Sequence, residues 1–109
     1  MKNFKHSLYK MSLYTLYKST SPKKKYDVYI MNNNRIKKIS FGANGYSDYT
    51  LHKDKNRRDR YRMRHHNDKI NDPTSSGFWS WFVLWGNSSN LKVAFNDAVK
   101  RAKKHLKKF

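Results

Sequence analysis

Cysteine is absent from the chain, and so is glutamate, since all seven acidic residues are aspartate. The first absence excludes disulfides and thiolate metal sites. The second leaves no paired-carboxylate cluster to hold magnesium for phosphoryl chemistry. Long apolar runs are missing too. The longest, from Phe78 to Trp85, is interrupted by Ser80 and falls far short of the roughly 20 residues a membrane span needs. The N-terminus is basic and free of acids up to Asp27, but Lys10 breaks its apolar section and no small-residue cleavage pattern follows. No secretory signal peptide is therefore expected.

What the chain has is positive charge and aromatic rings. Twenty-five Lys and Arg give 109 residues a formal net charge of +18 and a pI near 10.3. Such a surface repels itself, and an anionic partner relieves that cost. Nucleic acid is the commonest such partner, and a pI above about 9 is its usual first sign. Apolar residues make up 37% of the chain, below the roughly 45–50% of an average globular protein. Aromatics contribute 16%, so large rings are expected to fill much of the core. The length fits one small domain.

The spacing predicts an α+β fold: a β-hairpin packed with two to three helices, ending in a long basic C-terminal helix. Residues 1–22 carry Phe4, Leu8, Met11 and Thr15 at helical steps with other apolar residues off that face. They are read as an N-terminal arm or short helix, and 23–109 as the domain. Tyr26, Val28 and Ile30 alternate with Asp27 and Tyr29, which is strand spacing. Asn32 to Asn34 form a turn, and Arg35 to Phe41 a second strand with Ile39 and Phe41 on one face. Gly42 and Gly45 bracket a loop that calls for positive φ. The Lys-Ser/Thr pair of a phosphate-cradling P-loop does not follow them.

From Arg57 to Arg64 two periods compete. Arg58, Arg60, Arg62 and Arg64 alternate like a strand, yet the stretch lacks β-branched residues and Asp54 is placed to cap a helix. Helix is preferred, with an Asp54–Arg58 pair and with Tyr61 and Leu51 facing inward. Phe78 to Trp85 fits either a short helix or a central strand, and Gly86 ends it. Ser89 or Asn90 caps the last helix, whose stripe runs Leu91, Phe95, Ala98, Ala102, Leu106 and Phe109. Its terminal lysines are partly explained by the helix dipole.

The candidate nucleic-acid-binding set is Lys53, Lys55, Arg57, Arg58, Arg60, Arg62 and Arg64. Guanidinium groups grip phosphate through two parallel hydrogen bonds. Tyr61 or His65 is placed to stack on a base. No zinc finger, helix-turn-helix or ribonucleoprotein motif accompanies them, so backbone contacts without sequence preference are expected. Trp79, Trp81 and Trp85 form either a core or a protein interface. The sharpest enzymatic arrangement is His52, Asp54 and His65, but it lacks convergent carboxylates. Neither catalysis, a cofactor nor a metal site is expected, because His52, His65 and Asp68 are not spaced as ligands.

Two stretches together carry a family resemblance. Phe41 to His65 contains Phe-Gly-Ala-Asn-Gly-Tyr-Ser-Asp-Tyr-Thr-Leu-His-Lys-Asp, and Asp72 to Trp85 contains Gly-Phe-Trp-Ser-Trp. From about Lys23 to Leu106 the chain resembles a family of small basic proteins of unknown function encoded by large double-stranded DNA viruses of protists and algae. The resemblance implies a viral setting, in the virion or in the cytoplasm or nucleus of an infected host cell. It implies no activity. It leaves open a second role, that of a minor capsid or virion-core protein held among larger, acidic neighbours.

Overall fold

A computed structural model describes residues 7–32 and 34–105. Four antiparallel strands pair in chain order: β1 (Tyr9–Met11), β2 (Tyr14–Lys18), β3 (Lys24–Asn32) and β4 (Arg35–Ala43). Helices α1 (Tyr49–His52), α2 (Lys55–Arg64), α3 (Ser76–Trp79) and α4 (Leu91–His105) follow, with a π-helical turn, Ser80–Leu84, continuing α3. The fold is thus α+β, with the sheet first and the helices after it.

The expected hairpin is β3–β4. Val28 faces Ile39 and Tyr26 faces Phe41, so the period-two pattern of both strands falls on one side. Asn34 takes the left-handed conformation, with φ of 68°, in the turn between them. An isolated hairpin is marginal in water. Here it is extended by a second hairpin, β1–β2, whose Leu16 pairs with Val28.

That second hairpin corrects the reading of 1–22 as an arm or short helix. Residues 9–18 lie in the sheet, and Tyr14, Thr15, Leu16 and Tyr17 are all buried. Burial on both faces erases the alternation that would mark a strand, which leaves chance helical spacing as the stronger pattern. Residues 1–6 lie outside the described residues.

One face of the sheet meets the helices. Tyr14, Leu16, Val28, Ile30, Ile39 and Phe41 join Phe78, Trp79, Val83, Leu84, Phe95 and Val99 in one core cluster. Ala94, Ala98 and Ala102 let α4 approach closely, and Asn90 caps it by accepting from the Val93 amide at 3.0 Å. Its stripe is as expected through Ala102, while Leu106 and Phe109 lie outside the described residues. The tryptophan segment is helical. Ser75 caps it, and its last turn widens so that the Trp85 amide reaches the Ser80 carbonyl. Gly86 follows because a Cβ there would stand 2.2 Å from the Phe82 carbonyl oxygen.

Candidate nucleic-acid interface

Two aspartates build the joint that presents α2. Asp48 accepts from the Thr50 amide at 2.8 Å, which caps α1, and pairs with Lys25 from β3. Lys53 then turns the chain with a φ of 58°. Asp54 caps α2 as expected, accepting from the Asn56 and Arg57 amides at 2.9 and 3.2 Å. The Arg57 amide bond holds the Asp54 carboxyl below the usual range. The Asp54 amide donates to His52 Nδ1 at 2.9 Å, which leaves the ring proton on Nε2. Burial, reinforced by Arg57, lowers the His52 pKa and keeps that ring neutral.

The helix separates its arginines into two sets. Arg58 and Arg62, four residues apart, turn toward the protein. Arg58 lies 5.0 Å from the Tyr49 ring centre and pairs with Asp59. The expected Asp54–Arg58 pair does not form, because the Asp54 carboxylate is engaged at the cap. Arg62 donates from Nε to the Trp85 carbonyl at 2.9 Å and from Nη2 to Asn87 at 3.1 Å, and lies 5.9 Å from the Trp81 ring centre. Both were expected in the binding set, and both are instead used to hold α2 in place.

Tyr61 completes this attachment. Its ring stacks on Trp85 at 4.2 Å with 6° between planes, and on His65 at 4.0 Å with 21° between planes. Two stacked partners at such distances occupy opposite faces, so Tyr61 has none left for a base. Burial pushes its hydroxyl up to about 12. His65 Nδ1 meets the Tyr61 carbonyl at 3.0 Å. Leu51, expected to face inward, is 65% exposed, because α1 is a single turn that buries Tyr49 instead.

Arg57, Arg60 and Arg64 point the other way. At 3.6 residues per turn they fall within about 60° of one another. They are exposed and make no side-chain hydrogen bond or ion pair, and the same holds for Lys53 and Lys55. Among the described residues the ion pairs are Lys25–Asp48, Arg58–Asp59 and Arg101–Asp97. This strip is therefore positive charge without a salt bridge on a capped, anchored helix, with Asp54 at the cap close enough to feel Arg60. Arg57 and Arg64 also line a cleft of about 450 Å³ with Lys25, Tyr46, Tyr61 and Trp85.

The three tryptophans have different positions. Trp79 is fully buried and donates to the Pro73 carbonyl at 2.7 Å, so it belongs to the core and offers no interface. Trp81 and Trp85 are half-buried beneath Arg62 and Tyr61. The His52, Asp54 and His65 arrangement is likewise occupied by local hydrogen bonds. Among the described residues no three His or Asp side chains are grouped to hold a metal ion.

Sequence reasoning missed Tyr46 and Lys25. Tyr46 is 73% exposed on the turn after β4, and the glycines on either side of that turn were its only sequence signal. Both have the expected positive φ, 79° at Gly42 and 90° at Gly45.

Residues 14–65 match the model of a family of unknown function, DUF5754. The match runs from β2 to the end of α2 and so contains Tyr46 and the whole cationic strip. No curated protein and no solved structure matches the chain.

Proposed function

We propose that the protein binds nucleic acid through the phosphate backbone, without sequence preference and without catalysis. One observation carries this reading: the outward strip of Arg57, Arg60 and Arg64, flanked by Lys53 and Lys55, forms no salt bridge. Residues that solubilise a surface are typically interspersed with the opposite charge. Here the nearby acids are engaged elsewhere, Asp48 and Asp54 as caps and Asp59 on Arg58. A rigid helix carrying unpaired guanidinium groups loses little entropy on meeting phosphates.

The viral resemblance adds a setting, in which such a protein neutralises genome charge within the particle or the infected cell. A role as a minor virion protein is the second reading. It is favoured by a cleft of about 820 Å³ that places Leu8, Leu51 and Leu91 beside Lys18 and Lys24, a combination suited to an acidic neighbour.

Titration with duplex and single-stranded nucleic acid at several salt concentrations tests the first reading. With about 6–10 phosphates engaged, affinity falls roughly 10³–10⁵-fold between 50 and 200 mM salt. Absence of binding at about 50 mM salt overturns it. The second reading then requires the protein to be found in purified particles.

A further inference from the structure

The turn between β4 and α1 stands between two clefts, and both are lined by Lys25, Tyr46, Ser47 and Asp48. On one side lie Arg57 and Arg64, on the other Lys18 and Lys24. Tyr46 therefore sits on a ridge with a cation-bearing cleft on each flank, and most of its surface is in solvent.

The ridge is fixed in place. The Asn44 amide donates to the Lys23 carbonyl at 2.9 Å, and its side chain donates to the Pro22 carbonyl at 3.0 Å. Gly42 brings the strand end so close to the core that a Cβ would stand 2.8 Å from Leu84 Cδ1. The Lys25–Asp48 pair ties the far end of the turn to β3. Lys25 and Asp48 offset one another there, so the net charge of the smaller cleft comes from Arg57 and Arg64.

We propose that Tyr46 is a stacking platform for a base of single-stranded nucleic acid, with Arg57 and Arg64 holding the adjoining phosphate. The proposal rests on the backbone-binding reading above and goes further by naming the strand form. A duplex keeps its base faces inside the stack and has no use for an exposed ring on a ridge. An unpaired strand presents both a base face and a flexible backbone, which aromatic rings and cationic grooves bind together. A cleft of about 450 Å³ lies within the 300–1,000 Å³ range of small-molecule sites, so a single nucleotide fits its scale.

The test compares full-length wild type, Tyr46→Ala and Tyr46→Phe on labelled oligothymidylate, oligouridylate and a duplex of the same length at one salt concentration. Tyr46→Ala is expected to weaken single-strand binding by roughly 5- to 150-fold, the usual effect of removing one stacked ring. Tyr46→Phe retains the ring and binds as wild type, and the duplex affinity of all three proteins is the same. The single strand that loses more affinity in Tyr46→Ala is the ligand. Equal single-strand binding by Tyr46→Ala and wild type overturns the platform. If substitution of Arg57, Arg60 and Arg64 still abolishes binding in that case, the backbone reading survives. Wild type that binds neither strand nor duplex overturns both.

Discussion

Helices α2 and α4 are both crowded with positive charge, and they are held to the protein in different ways. α4 buries Ala94, Phe95, Ala98, Val99 and Ala102, and its lysines occupy the remaining faces. α2 has no fully buried residue. It is attached by Tyr61 between Trp85 and His65, and by Arg58 and Arg62 over rings and carbonyls. In α4 only Arg101 packs on the protein, over the Phe82 ring at 4.7 Å, while the lysines stay outside and those near the C-terminus interact favourably with the dipole. In α2 the arginine run serves two purposes. Two guanidinium groups supply the attachment an apolar stripe would otherwise give, and three remain outside. A basic helix without an apolar face can therefore still be well placed, provided its arginines find rings and carbonyl oxygens.

The comparison can be tested at four levels of effect. Phe95→Ala in α4 should be the most damaging, costing about 3–5 kcal/mol in urea unfolding, since it removes a ring from the centre of the core. A cost near zero would mean that α4 is not the main buttress of the sheet. Arg62→Ala should cost about 2 kcal/mol by the same assay, through loss of charged hydrogen bonds to Trp85 and Asn87. Arg62→Lys should restore little of this, because lysine lacks the planar fork. Full rescue by lysine would show that charge alone, rather than directed bonding, holds α2.

A further effect is expected at alkaline pH. The Tyr61 hydroxyl is raised from 10.0 to about 12, so the folded protein keeps this proton longer than the unfolded chain does. The associated stability is complete below pH 10 and is lost as pH rises toward 12. Tyr61→Phe should remove that part of the alkaline decline. Unchanged pH dependence in the variant would place the titration elsewhere. The smallest stability effect belongs to the triple substitution of Arg57, Arg60 and Arg64 by alanine, within about 0.5 kcal/mol for each site. The same variant should lower the logarithmic salt slope of duplex binding by about 2.7. Large destabilisation would show that the outer arginines support the fold.

Legibility differed along the chain for physical reasons. The β3–β4 hairpin and α4 each bury one face and expose the other, so their periods were visible in Tyr26–Val28–Ile30 and in Leu91–Phe95–Ala98–Ala102. β2 buries Tyr14, Thr15, Leu16 and Tyr17 in succession, and so it carried no period to read. Trp79 and Trp85 lie six residues apart in one apolar run, yet one is in the core and the other on the flank of α2. A widened turn at Ser80–Leu84 sets their relative directions, and no composition rule encodes it. The arginine run was legible as a cationic stretch, but its division into inward and outward residues was not. Arg58 and Arg62 differ from Arg57, Arg60 and Arg64 only in what lies opposite them.

By itself the sequence determined the chain's own excess of positive charge, the α+β class, the cap at Asp54, the start of the last helix at Ser89 or Asn90, and the positive φ of Gly42 and Gly45. These follow from net charge, local periodicity and single-residue conformational preference, none of which needs a neighbour distant in the chain. Tertiary structure alone decided that the first two strands complete the sheet, that Tyr61 is closed on both faces, and that Tyr46 is open between two clefts. Each of these depends on segments brought together by the packing of the helices on the sheet, whose geometry is set by the whole core at once.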